Sequence, residues 1–210
     1  MTLPRDRADY SAIVDRPPLR LPDGARIVVW TIVNLEEWEI VRPMARQVLP
    51  PPMGNVRIPD VPNWSWHEYG MRVGFWRFKD LYDRLGLRPT LSINAKVCES
   101  YPRVASACRD SGWEFMGHSY VQMPIHDLDD QRATIRQSLE AIEKFTGKRP
   151  VGWLGPGLTQ TYETPDWLAA AGIKYLEAIY EYAGRFPGVL FWNGEQILEW
   201  YLDERKGAGG

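Results

Sequence analysis

The sequence predicts an α/β fold with parallel strands, in an open sheet or a barrel, and two observations predict it. Short apolar or β-branched runs alternate with segments of helical periodicity along most of the chain, and each crossover must then return over a face of the sheet. The first run, Arg26-Ile-Val-Val-Trp-Thr-Ile-Val33, lacks polar alternation, the pattern of a strand buried on both faces.

Residues 1–25 are rich in Pro, Arg and Asp and read as an extended lead-in that closes with a turn at Asp23-Gly24. After the strand from Arg26, the stretch Trp38 to Trp66 holds six prolines and little periodicity, so it is expected to be a long loop over one end of the domain. Tyr69 to Leu85 then places Val73, Trp76, Phe78, Leu81 and Leu85 at near-helical spacing and stops at Gly86. Strand Thr90 to Ile93 follows, then a helix from Ala95 to Ser111 interrupted at Pro102, then strand Glu114 to Met116. Asp129 and Asp130 open a helix whose Ile135, Leu139, Ile142 and Phe145 fall three or four apart before Gly147 ends it. Val151 to Leu154 is the next strand, and Thr164-Pro165 predicts a helix start with Thr as N-cap and Pro at the first position. Strand Ile173 to Leu176, helix Glu177 to Arg185, strand Val189 to Trp192 and a helix capped by Asn193 complete the series, before a flexible tail at 207–210.

The 210 residues fit one domain, placed over 26–206, and 44% hydrophobic with 25% charged residues is an ordinary globular composition. A net charge of -2 supplies no basic surface for phosphates, which argues against nucleic acid or an anionic membrane and for a small-molecule or carbohydrate substrate. The longest apolar run, Ile27 to Val33, falls far short of the ~20 residues that span a bilayer. The polar N-terminus lacks the apolar stretch of a signal peptide, so cytoplasm is the expected location. Cys98 and Cys108, without a CxxC, read as buried free thiols. Ten Trp and ten Tyr are enough to line a pocket for a planar or sugar-like ligand, although core packing accounts for most of them.

In parallel α/β folds chemistry gathers at the C-terminal ends of the strands, which selects Asn34 to Glu37, Asn94, His118 to Gln122 and Gly155 to Gly157. Glu36 and Glu37 are adjacent carboxylates just past the first strand, where one can act as general base or hold a cation; a solvated loop pair is the competing reading. His118 follows a later strand and would face the same end, and a lone histidine of this kind is more often structural than a ligand.

Together, Asn34-Leu35-Glu36-Glu37 and Gly117-His118-Ser119-Tyr120-Val121-Gln122 resemble the acidic and His-Ser-x-x-His motifs of the polysaccharide deacetylase (NodB-homology) superfamily. His67-Glu68-Tyr69-Gly70-Met71-Arg72-Val73-Gly74-Phe75-Trp76-Arg77 is similar to a segment of the subgroup that contains the ureide-pathway allantoinases, and Gly152 to Gly157 to the substrate-groove motif. The resemblance spans about Arg16 to Leu176, with Val189 to Leu202 similar to the last strand and closing helix. It implies a distorted, incomplete (β/α) barrel that hydrolyses a non-peptide C–N bond in an N-acetyl sugar or a ureide. It also implies Glu36 or Glu37 as base, Asn34 beside them, and His118 with Glu37 on a divalent metal, zinc foremost, or else a metal-independent site. Glu68, Arg72, Trp64, Trp66, Gln122 and Pro156 are the expected substrate contacts.

Departures from the pattern carry equal weight. Gln122 stands where the motif has its second histidine and is a poor zinc ligand; His126 is the substitute if its loop folds back. Leu154 replaces the groove arginine, and no histidine follows His126, so an internal segment before Val189 is expected to be absent. A sheet edge opened in that way calls for a partner, and a homo-oligomer is the expected remedy. The alternative to an amidohydrolase is an inactive, truncated scaffold that only binds. A nucleotide-binding domain is disfavoured by the lack of a GxGxxG or GxxxxGK[ST] loop.

Overall fold

The computed structural model describes residues 20–176 and 189–207, together with residues 6, 10, 12–15 and 18. The helix expected over Glu177 to Arg185, the tail beyond 207 and much of the lead-in lie outside the described residues. Among the described residues there are seven strands, with helices between β2 and β6: β1 Ile27–Val29, β2 Ile32–Leu35, β3 Thr90–Ile93, β4 Glu114–Gly117, β5 Gly152–Trp153, β6 Tyr175–Leu176 and β7 Val189–Phe191. Among the described residues all pairings are parallel, in the order β2-β3-β4-β5-β6 in one sheet and β1-β7 in another. The fold is the predicted α/β barrel type, and the barrel is not closed.

The expected single strand at Arg26 to Val33 breaks in two. Residues 30 and 31 fall between the two strands, where the Thr31 carbonyl accepts from the Thr90 N–H and Trp30 turns its indole N–H onto Thr90 Oγ1 at 2.7 Å, and β1 and β2 join different sheets. Neither half is buried on both faces; most of their residues are half-exposed. The fully buried strands are β3 and β4, around Leu91, Ile93 and Met116.

The long loop ends sooner than predicted. α1 (Val61–Tyr69) starts where Asp60 accepts from the Asn63 N–H, and Pro62 sits in its first turn, where a missing N–H costs nothing. The helix runs on through a π turn at Gly70–Gly74, in which the Phe75 N–H reaches the Gly70 carbonyl five residues back, into α2 (Phe75–Leu85). Gly86 caps it in the left-handed conformation. α3 (Val97–Ser100) and α4 (Pro102–Asp110) divide at Pro102 as predicted, and Asp130 caps α5 (Gln131–Thr146) through the Ala133 N–H at 2.8 Å. Thr164, by contrast, is not the N-cap of α6 (Thr164–Ala170): it lies inside the helix, where its hydroxyl is taken by Gln131 and by the Thr161 N–H. Asn193 and Gln196 exchange side-chain-to-backbone bonds at the start of α7 (Gly194–Gly207), a reciprocal cap.

The core lies between β3, β4 and the helices on either side, with a second cluster of Ile135, Leu139, Trp153 and Leu168. Leu139 has no exposed surface, so Leu139→Ala is expected to cost about 2–5 kcal/mol, measured by denaturant unfolding. Cys98 and Cys108 are buried free thiols whose pKa burial pushes up to about 12. No helix among the described residues is long and apolar enough to cross a membrane.

Candidate functional site

The sheet's own ladder assembles the site. Backbone bonds run past the strand ends, from the Asn94 N–H to Leu35, from His118 to Ile93 and from Leu154 to Gly117, all at 2.9 to 3.0 Å. Residues 36, 94, 118 and 154 are thereby set side by side at the C-terminal end, where the strand-end rule placed the chemistry. A cavity of about 850 Å³ opens over them, lined by Asn34, Glu36, His67, His118, Gln122 and Leu154 among others.

Glu36 is the acidic group of that cavity. Its Oε1 lies 3.6 Å from His118 Nε2, its Oε2 accepts from the Trp38 indole at 2.7 Å, and its backbone carbonyl accepts from His67 Nε2 at 2.6 Å. Burial opposes its charge, but bonding to His118 and Trp38, helped by the field of His118 and His67, holds the carboxyl below its usual value. Glu37 turns the other way: it is absent from the cavity wall, and burial raises its carboxyl despite Ser100 and Lys96 nearby. Only its backbone serves the site, donating to Asn94 Oδ1 at 2.8 Å and accepting from the Gln122 N–H at 3.0 Å.

His118 is nearly inaccessible, at 2% exposure. Its Nδ1 lies 2.9 Å from the Leu154 carbonyl, which can only accept, so Nδ1 carries a proton, and Nε2 faces the Glu36 carboxylate. The next residue, Ser119, holds a left-handed φ of 65° while its carbonyl accepts from the Ala95 N–H, a local strain of the sort active sites retain.

The orientation of Gln122 follows from a chain of bonds. The Glu37 N–H fixes Asn94 Oδ1 as acceptor, so Asn94 Nδ2 is a donor; it reaches the His118 carbonyl and, at 3.4 Å, Gln122 Oε1. The Gln122 oxygen is therefore engaged, and the NH₂ group is the end left for the cavity.

These positions do not make a zinc site. Among the described residues no three His, Cys, Asp or Glu side chains gather, and Glu36 with His118 supplies two donors where a catalytic zinc takes three. Gln122 brings an amide, a poor zinc ligand, whose oxygen already faces Asn94 Nδ2 at 3.4 Å. His126 does not fold back as proposed from the sequence: the Ile125 N–H is held by Thr159 Oγ1 at 2.8 Å, Ile125 is buried, and His126 points to solvent.

Of the expected substrate contacts, Trp66 and Gln122 line the cavity, and Glu68, Arg72, Trp64 and Pro156 do not. Glu68 and Arg72 form instead a bracket behind the site. Arg72 bonds Glu68 at 2.6 Å, Tyr101 donates to the other Glu68 oxygen, and that oxygen faces His67 Nδ1 at 3.9 Å. Burial acts against the Glu68 charge, but Tyr101 and Arg72 bring its carboxyl below the usual value. Pro156 is buried beneath the groove turn, while its neighbours Gly157 and Leu158 reach the wall.

Two site residues escaped the sequence reading. His67, stacked on Trp38 with centroids 5.3 Å apart, and Trp38 itself hold Glu36 at its carbonyl and its carboxylate respectively. The signal for His67 was its place at the head of the Glu68-to-Arg77 motif; nothing local marked Trp38.

The sequence profile of the polysaccharide deacetylase family matches residues 67–176. A peptidoglycan deacetylase-like protein of Gibberella zeae is 32% identical over 108 residues, covering 50% of this chain and 32% of that protein, so the matched stretch spans about a third of its length. Among solved structures, the PuuE allantoinase aligns with a TM-score of 0.66 at 20% identity over 97% of this chain and 82% of its own. A probable polysaccharide deacetylase from Pseudomonas aeruginosa PAO1 aligns with a TM-score of 0.64 at 21% identity, over 94% and 80%. At these identities the two structures speak for the fold alone.

Proposed function

Because this chain belongs to the polysaccharide deacetylase family, we propose that it is a hydrolase of non-peptide C–N bonds, acting on an amide of an N-acetyl sugar or a ureide. The observation that carries the reading is the pairing of the Glu36 carboxylate with His118 Nε2, 3.6 Å apart on the floor of a cavity large enough for such a ligand. The family profile begins at residue 67, so Glu36 enters the proposal on geometry and not on the match.

Glu36, kept ionised by its partners, takes a proton from a water as the water oxygen adds to the amide carbonyl carbon. The Gln122 NH₂ donates to the carbonyl oxygen as negative charge builds there, a role otherwise filled by a cation. When the C–N bond breaks, the proton passes to the leaving nitrogen from Glu36, with His118 Nε2 alongside to relay it; the products are a carboxylic acid and an amine. Asn34, exposed on the cavity wall, adds a second amide for orientation. His67 and Trp38 position the carboxylate and touch no reacting atom. Since the donor set falls short of a zinc centre, no step is routed through a metal.

The test is elemental analysis of protein purified without chelator, followed by assays of acetate and ammonia release from N-acetyl amino sugars and ureides, with and without chelator. Release that survives chelation, with substoichiometric metal, is the expected result. Stoichiometric metal whose removal stops turnover would overturn the metal-free site. Absence of turnover on every substrate would overturn the hydrolase reading in favour of a binding scaffold. Ureides stay on the panel because the fold is shared with an allantoinase.

A further inference from the structure

The cavity has a charged feature that hydrolysis of the amide does not use. Arg46 is the single lysine or arginine among the described residues that line it, it is exposed, and among the described residues it has no hydrogen bond or ion pair. Nearby cations are already committed: Arg42 and Lys96 share Glu39, and Arg72 holds Glu68. Arg46 is also held in place. Met44 before it is buried, and after it the Val48 and Leu49 N–H groups both donate to Asn63 Oδ1 at 2.8 Å, so the residue stands on a short arch pinned on both sides. Asn63 itself is fixed by Asp60 and by the Leu49 carbonyl.

The wall of the same cavity keeps room for a ligand that extends beyond the scissile amide. Gly70 and Gly74 lie one turn apart along the helix, and a Cβ at Gly70 would meet nothing within 4 Å while one at Gly74 would meet only the Tyr69 carbonyl at 3.8 Å. Trp66 and Phe78 flank this side-chain-free strip with apolar surface. At about 850 Å³ the cavity is at the upper part of the ~300–1,000 Å³ that small-molecule sites occupy, more than a compact amide fills. Among the described residues that line the cavity Glu36 is the one acid, and it lies beside His118.

We infer that Arg46 forms an anion subsite at the rim of the cavity, so that the protein selects amides carrying a carboxylate on the part of the molecule remote from the bond that is cleaved. The inference rests on the proposed function for the identity of the cavity as a substrate site. A guanidinium is suited to this task because its planar fork matches a carboxylate with two parallel bonds. At a solvent-exposed rim the gain is limited by screening, and it falls further as salt rises.

The test compares binding with turnover. Calorimetry would measure the affinity of N-acetylglucosamine and of the same sugar carrying a carboxylate-ended ether, for wild type, Arg46→Ala and Arg46→Glu. Wild type is expected to favour the anionic sugar about three- to tenfold at low salt. The ratio should fall to about one in Arg46→Ala, invert in Arg46→Glu, and shrink with added salt in wild type. Equal affinities in wild type, a ratio that survives Arg46→Ala, or no binding of either sugar would overturn the subsite. Acetate release is followed separately: selective binding without release would keep the subsite and overturn the hydrolase, whereas release without charge selectivity would do the reverse. Arg46 is exposed and unbonded, so both variants should fold, as circular dichroism would verify.

Discussion

Glu36→Gln is expected to lower kcat/KM by about 10²–10⁴-fold on whichever amide the protein hydrolyses, with Tm unchanged within a few degrees. The variant removes the proton acceptor and little else. Its amide oxygen can still accept from the Trp38 indole, and the bond from His67 goes to the backbone carbonyl, which no side-chain exchange alters. The neighbouring carboxylate supplies the control: Glu37→Gln leaves the cavity wall untouched and should keep activity within about threefold, because Glu37 serves Asn94 and Gln122 through its backbone. Steady-state kinetics on the two variants decides between them. If Glu37→Gln were the inactive one, the assignment of roles within the pair would be reversed, and the cavity would have to open on the other side of the strand.

The asymmetry of that pair shows where sequence reasoning reached and where it stopped. That a carboxylate after the first strand and a histidine after a later one meet at one end of the sheet follows from parallel topology, and Glu36 with His118 fulfils it. Which of two adjacent glutamates faces the cavity depends on how the backbone leaves the ladder, and this is set by Asn94, 57 residues away from Glu37. The Glu68 and Arg72 motif was recognised, but as substrate contacts, since a sequence does not tell a residue that touches a ligand from one that braces its neighbour. Contacts such as His67 to the Glu36 carbonyl, 31 residues apart, have no local signature at all. The same limit applies to strands: the β-branched run from Ile27 to Val33 is real, yet it breaks at Trp30, whose indole bonds Thr90 on another strand. Helix ends fared better where the cap is local, as at Asp130, Gly86 and Asn193, and failed at Thr164, whose hydroxyl is claimed by Gln131 from a different helix.

A large loss of stability is expected at the opposite end of the sheet. Glu114, the first residue of β4, is 8% exposed, and its carboxylate gathers donors from three parts of the fold. One oxygen accepts from the Tyr175 hydroxyl on β6; the other accepts from Thr90 Oγ1 on β3 at 2.6 Å and from the Glu195 N–H in the first turn of α7 at 3.2 Å. Thr90 Oγ1 in turn accepts from the Trp30 indole and from the Gly194 N–H at 3.0 Å. Where β6 and β7 do not pair, this network ties the two ends of the open barrel to one strand. Glu114→Ala would take away the acceptor that the Thr90 and Tyr175 hydroxyls and an α7 N–H share, at an expected cost of roughly 3 kcal/mol, or about 6–12 °C in Tm for a chain of this size. Glu114→Gln keeps one acceptor oxygen, and the Tyr175 hydroxyl can turn to accept from the new NH₂, so its loss should be near 1 kcal/mol. Thermal unfolding of the two variants measures the difference, and a Thr90→Val cycle would show a strong coupling, because both residues belong to one network. Similar melting points for wild type and Glu114→Ala would mean that the two ends are joined by packing alone, through Tyr175 against Trp30.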